Sequence, residues 1–67
     1  MHNEIVEITV IFKHETSQAI LINDGDIEVW IPKSQIENYD DLDEVIEKGH
    51  EITIEIPEWL AIANDLI

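Results

Sequence analysis

The sequence predicts a small α+β domain: a four-stranded, strongly bent antiparallel sheet or small open barrel, with a short inserted helix and a C-terminal helix, in the order β-β-β-α-β-α. Three observations predict it. Segments 4–13, 27–31 and 50–56 place apolar residues at alternate positions, the period of a half-buried strand. Asn23-Asp24-Gly25-Asp26 separates two apolar runs with turn-forming residues. Apolar spacing then changes to the helical pattern twice, after Asn38 and after Pro57.

Taken in order, Glu4 to Lys13 reads as a first strand, with Val6, Ile8, Val10 and Phe12 on one face and Glu7, Thr9, Ile11 and Lys13 on the other. His14-Glu15-Thr16-Ser17 is a polar connection. The run from Gln18 to Ile22 is apolar without alternation, which suits a central strand or one buried on both faces. The Asp24-Gly25 turn leads to a third strand with Ile27, Val29 and Ile31 facing the core and Asp26, Glu28 and Trp30 opposite. Pro32 cannot donate to a ladder, so this strand ends there or lies at an edge. Lys33-Ser34-Gln35 makes a corner and Ile36 returns to the core. In the segment Asn38 to Gly49, Leu42, Val45 and Ile46 predict a helix of about two turns, capped by Asp40 or Asp41, with Asp43 and Glu44 in the first turn and Lys48-Gly49 at the end. His50 to Ile56 is the fourth strand, with Ile52, Ile54 and Ile56 inward. Pro57 and Glu58 open the terminal helix, whose predicted apolar stripe is Trp59, Leu60, Ala63, Leu66 and Ile67.

Sixty-seven residues make a single domain, 1–67, with one small core. A core of that size is marginal without help, and a homodimer is one way to enlarge it. Apolar residues form 45% of the chain, too many for a disordered segment. No cysteine is present, so disulfides and thiolate metal sites are excluded. No apolar run approaches the roughly 18 residues of a membrane span, and no leader pattern opens the chain, so the expectation is a cytoplasmic protein with no membrane partner. Sixteen acidic residues against three basic give a formal charge of −13. That field repels phosphate backbones and anionic lipid, which disfavours direct nucleic-acid binding, and it attracts basic protein surfaces.

No residue cluster specifies a reaction. The acidic run Asp40, Asp41, Asp43, Glu44, Glu47 lacks the alternate spacing and central glycine of a calcium loop, so a solvated helix face is the better reading and no metal is expected. Asp24 and Asp26 are turn residues first. His2, His14 and His50 have no helical pairing that would gather zinc, and Ser17 and Ser34 have no activating His and Asp pattern. No cofactor and no catalytic residue are expected. Trp30 projects away from the third strand's core face; it is either covered by a helix or exposed in a partner interface, and burial with Trp59 close by is the favoured reading. Tyr39, beside the acidic run, is the stronger expectation for an exposed aromatic anchor.

The segments His14-Glu15-Thr16 to Ala19-Ile20-Leu21, Glu28-Val29-Trp30-Ile31-Pro32-Lys33-Ser34-Gln35-Ile36-Glu37 and Ile56-Pro57-Glu58-Trp59-Leu60-Ala61 resemble a family of small uncharacterised proteins common in bacteriophages and prophages. These words are spread over roughly two thirds of the chain. Where that family often has a short hairpin, this chain carries the acidic segment Asn38 to Gly49. The resemblance implies a phage setting, and with it the cytoplasm of an infected bacterial host. Size, charge and setting together lead to the expectation of a non-enzymatic inhibitor that binds the basic surface of a host nucleic-acid-binding defence protein, as an anti-CRISPR protein acting by nucleic-acid mimicry would. The expected partner-binding residues are Tyr39, Asp40, Asp41, Asp43, Glu44 and Glu47, with Asp24, Asp26 and Glu28 as a second patch. The contrasting expectation is an accessory protein-interaction module of phage replication or recombination, held by apolar anchors.

Overall fold

The computed structural model describes residues 4–42 and 47–67. Four strands, β1 (Ile5–Glu15), β2 (Ala19–Asn23), β3 (Glu28–Pro32) and β4 (Glu51–Pro57), form one antiparallel sheet in the spatial order β3-β2-β1-β4. A 3-10 turn at Lys33–Gln35 and a helix α1 (Tyr39–Leu42) precede β4, and a helix α2 (Glu58–Ala63) comes after it. The order is therefore β-β-β-α-β-α, and the sheet stays open rather than closing into a barrel.

The alternation that predicts the strands also builds the core. Ile8, Val10 and Phe12 of β1, Ile20 and Ile22 of β2, Ile31 of β3 and Ile52, Ile54 and Ile56 of β4 are all buried, and they occupy one face. Register places them side by side: Val10 opposite Ile52, Ile8 opposite Ile54, Phe12 opposite Ile22, Ile20 opposite Ile31. Ile36, Leu42, Leu60 and Ala61 close over this isoleucine face, so the 3-10 corner and both helices lie on the same side of the sheet. The opposite face has no covering element among the described residues.

β1 is longer than its neighbours and is shared between them. Its first half, Ile5–Ile11, pairs with β4, and its second half, Ile11–Glu15, pairs with β2; Ile11 belongs to both ladders, and Phe12, opposite Ile22, also exchanges backbone hydrogen bonds with His50 and Gly49 on the other side. A bulge between Phe12 and His14 leaves Lys13 unpaired. This extra residue changes the parity of the strand's last two positions, because a bulge re-aims the side chains beyond it. His14 falls opposite Leu21 on the open face, and Glu15 falls opposite Ile20 on the helix side. The polar connection is accordingly Thr16–Gln18 rather than one beginning at His14. It closes through the Thr16 hydroxyl, which accepts from the backbone N–H of Gln18 and of Ala19 at 3.3 and 3.2 Å.

The β2–β3 connection is a four-residue loop, longer than the tight hairpin that Asp-Gly predicts. Gly25 takes the expected positive φ of 113°, while Asp26 does not. The loop is held instead by side chains: the Asn23 amide oxygen accepts from Gly25 N–H at 2.7 Å, and the Asp24 carboxylate accepts from Asp26 and Ile27 N–H at 2.9 and 3.0 Å. Ile27 is thereby drawn out of the strand and left exposed, so only Val29 and Ile31 of the predicted core face of β3 turn inward.

The two outer strands are finished differently. β4 is sealed along its free edge by the incoming chain: Glu37 N–H donates to the Glu55 carbonyl at 2.7 Å, and the Asn38 side chain donates to the Thr53 carbonyl and accepts from Glu55 N–H at 3.0 and 2.9 Å. On β3, hydrogen bonds from Asp24 N–H to the Ile27 carbonyl and from Lys33 N–H to the Gln18 carbonyl fix the ladder parity at both ends. Glu28, Trp30 and Pro32 then direct their backbone groups away from the sheet. Pro32, lacking an N–H, blunts this edge against further pairing.

Both helices differ from expectation. α1 begins at Tyr39, so Asp40 and Asp41 lie in its first turn rather than at its cap. Its predicted continuation through Val45 and Ile46 falls outside the described residues. In α2 the buried residues are Leu60 and Ala61, whereas Trp59, Ala63 and Ile67 of the predicted stripe are exposed. The helix stops after six residues because Asp65 adopts a left-handed conformation (φ 57°), letting Asp65 N–H bond the Ile62 carbonyl and Leu66 N–H bond the Ala61 carbonyl. This turn returns Leu66 to the core.

Candidate functional site

The acidic residues expected to meet a partner fall into two groups on different elements. Asp40 and Asp41 are exposed in α1, which packs on β4 at one end of the strand order; Asp24, Asp26 and Glu28 surround the β2–β3 loop at the other. Glu47 is exposed and lies 3.5 Å from His50 Nε2. Asp43 and Glu44 lie outside the described residues. Within the second group Asp24 already has an internal task. Its two backbone hydrogen bonds, to Ile27 and then Asp26, hold its carboxyl below the usual range, and they orient it into the loop.

Tyr39 is half-buried and packs against the core, contrary to the expectation of an exposed anchor. Its hydroxyl donates to Glu15 at 3.4 Å, and the Lys33 ammonium sits 5.2 Å from its ring centroid while pairing with Glu15 at 2.8 Å. The physical reason is the bulge: by turning Glu15 to the helix side, it supplies the carboxylate that draws both Lys33 and Tyr39 inward. Lys33 lowers the Glu15 pKa chiefly through this hydrogen bond, and the Glu15 hydrogen bond raises that of Lys33. Glu15, Lys33 and Tyr39 thus bind the strand end, the corner and α1 together.

Trp30 is 47% exposed, against the favoured expectation of burial beside Trp59. Both helices are committed to the isoleucine face, so neither is left to cover it. Its neighbours on the open face are set by register. Leu21 stands opposite Trp30 and His14 opposite Leu21, with the His14 ring meeting the indole edge-on at 6.4 Å between centroids and 76° between planes. The next row, Glu28–Asn23–Ile11–Glu51, runs across all four strands. Beyond it come Thr9 beside Thr53, hydroxyl to hydroxyl at 3.0 Å, and Glu7 beside Glu55. The open face is therefore an aromatic and aliphatic corner bordered by four glutamates, and none of its paired positions carries Lys or Arg. The sequence holds the signal for this face in the alternate positions Glu7, Glu28, Glu51 and Glu55, but the value of Trp30 emerges only once both helices are placed.

Among the described residues no cavity is found, no group of three His, Asp or Glu is placed to hold a metal ion, and no polar or charged side chain is buried. No helix among them is long and apolar enough to cross a membrane. No family model, curated protein or solved structure matches the chain.

Proposed function

We propose that this chain is a non-enzymatic binding protein that occupies the basic surface of a nucleic-acid-binding protein and inhibits it. In the phage setting that the sequence words imply, that partner is a host defence protein in the bacterial cytoplasm, and the mode is that of an anti-CRISPR protein mimicking nucleic acid. One observation carries the reading. A chain of charge −13 keeps every described carboxylate out of its core, and among the described residues Lys33 is the only lysine paired with one of them. The result is a dense, largely uncompensated negative field, which speeds encounter with basic grooves and competes there with phosphate.

The test is capture of a purified basic partner, such as a host defence nuclease. The complex is expected to weaken steeply with salt, to dissociate on adding DNA, and to lose inhibition when Asp40, Asp41, Asp43 and Glu44 are changed to Asn or Gln. Inhibition that survives those four substitutions and is insensitive to DNA would rule out mimicry. The exposure of Trp30 favours a second reading, an accessory module of phage replication or recombination held by an apolar anchor. That reading predicts binding that survives charge neutralisation and fails on Trp30→Thr.

A further inference from the structure

We propose that the open face of the sheet is the docking surface, and that its occupant is an arginine-bearing segment of the partner protein, seated over Trp30 with guanidinium groups on Glu28 and Glu51. The inference rests on the reading that the chain binds a basic partner, and it names where and through what chemistry. The face is the only broad surface of the sheet that no element covers among the described residues, and register fixes its layout. Trp30, Leu21 and His14 form one row, and Glu28, Asn23, Ile11 and Glu51 form the adjoining one. Three strand spacings separate Glu28 from Glu51, or about 14 Å. Two carboxylates therefore bracket a patch in which Ile11 and Leu21 are half-buried and Trp30 is 47% exposed.

Charge complementarity selects the occupant. Glu7, Glu28, Glu51 and Glu55 all project from this face, and none of its paired positions carries a lysine or arginine. Phosphates and anionic headgroups are repelled. A second copy of the chain would bring four more glutamates against the first four and no cation from a paired position. Among basic groups, arginine fits better than lysine: its planar guanidinium stacks on an indole face and forks onto a carboxylate at once, while an ammonium is a strongly hydrated point charge. The carboxylates of α1, on the other side of the sheet, lie outside this seat, so a short peptide does not reach them and they bear only on the full-length basic partner.

The experiment uses the full chain with Trp59→Phe, which leaves Trp30 as the only indole; Trp59 is exposed on α2, so the exchange spares the core. The probe is a labelled Ser/Thr peptide with arginines about four residues apart, matching the ~14 Å span in extended form. Its lysine counterpart carries the same charge. At about 0.15 M salt, where exposed charges beyond ~8 Å are screened, the arginine peptide is expected to change Trp30 emission saturably and to bind about tenfold tighter than the lysine peptide. Trp30→Thr, read by peptide anisotropy, should lower that affinity about tenfold, the scale of a cation–π contact between the exposed and the desolvated values. Glu28→Gln with Glu51→Gln should weaken it comparably, while Asp40→Asn with Asp41→Asn changes it less than about twofold. Thr is a strand former, and far-UV circular dichroism checks that the variant is folded. Equal binding of the two peptides with unchanged Trp30 emission, or equal loss from the two carboxylate pairs, would overturn the proposal. If Trp30→Thr is silent while capture of the basic partner remains salt-sensitive, this face is the wrong one and the broader reading stands. If capture is insensitive to salt, the broader reading falls with it.

Discussion

Replacing Asn38 by Ala tests how the acidic segment is fastened to the sheet. The Asn38 side chain makes two hydrogen bonds to the outer edge of β4, donating to the Thr53 carbonyl and accepting from Glu55 N–H. A net value of about 1 kcal/mol for each gives a loss of about 2 kcal/mol. For a chain of 67 residues, whose total stability is on the order of 3–10 kcal/mol, that is a substantial fraction. The corresponding fall in Tm is roughly 8–16 °C. The substitution also uncovers strand backbone, so association at high concentration should increase. Urea unfolding followed by tryptophan emission gives the free energy, and amide exchange at Glu37 and Glu55 locates it, because Glu37 N–H bonds the Glu55 carbonyl in the same seam. Asn38→Asp retains the acceptor but loses the donor and adds charge beside Glu37 and Glu55, so it should cost at least as much as Ala. A loss below about 0.5 kcal/mol for Asn38→Ala, with exchange at both amides unchanged, would refute the idea that this side chain seals the edge.

Lys33→Met should flatten the acid limb of stability. Glu15 has a depressed folded pKa, so its contribution is complete above the unfolded value of about 4.5 and disappears as pH falls through the folded value; the gap between wild type and variant, measured by urea unfolding, should therefore close from pH ~5 downwards, and a constant gap would contradict the pairing. The raised pKa of Lys33 works in the other direction, its contribution being lost only above about pH 10.5. Asp65→Gly should stabilise the chain by about 0.5–1 kcal/mol, because glycine relieves the left-handed conformation at φ 57° while the Leu66-to-Ala61 bond that ends α2 is kept. A drop in Tm would show that the Asp65 side chain contributes more than its backbone costs.

The strands were legible because isoleucine and valine at alternate positions leave little freedom of register: a slip by one residue would turn Ile52, Ile54 and Ile56 to solvent. What escaped was set by residues that break a period without announcing it. Lys13 looks like one more outward residue, yet as a bulge it sends Glu15 to the helix side, and this converts Tyr39 from an expected anchor into a partner of Glu15 and Lys33. In the β2–β3 loop, side-chain acceptors at Asn23 and Asp24 outcompeted the two-residue turn that Asp-Gly suggests. In α2, a stripe drawn through Trp59, Ala63 and Ile67 assumed a longer helix; the left-handed Asp65 ended it early and gave the core Leu60, Ala61 and Leu66 instead. The candidate site was half legible. Its glutamates stand at alternate positions of recognisable strands, but the exposure of Trp30 depends on both helices choosing the same face.

That choice divides the molecule into a face that folds and a face that folding leaves alone. The isoleucine face collects the helices and the buried area that stabilises so small a chain. On the other face, Glu7 stands directly opposite Glu55. The Glu55 backbone groups point outward to Glu37 and Asn38, so the two glutamates form a pair without mutual backbone hydrogen bonds, the arrangement in which cross-strand side chains come closest. Like charges so placed destabilise a sheet by some tenths of a kcal/mol, up to about 1. A threonine pair such as Thr9 and Thr53, one row away, is the arrangement a fold alone would favour. The glutamates therefore weaken the free protein at a place where no helix needs them. A partner segment that runs on past the Glu28–Glu51 row, about 13 Å along β4 to Glu55, would remove this repulsion as its guanidinium groups form their own bonds, and the relief would add to the free energy of binding.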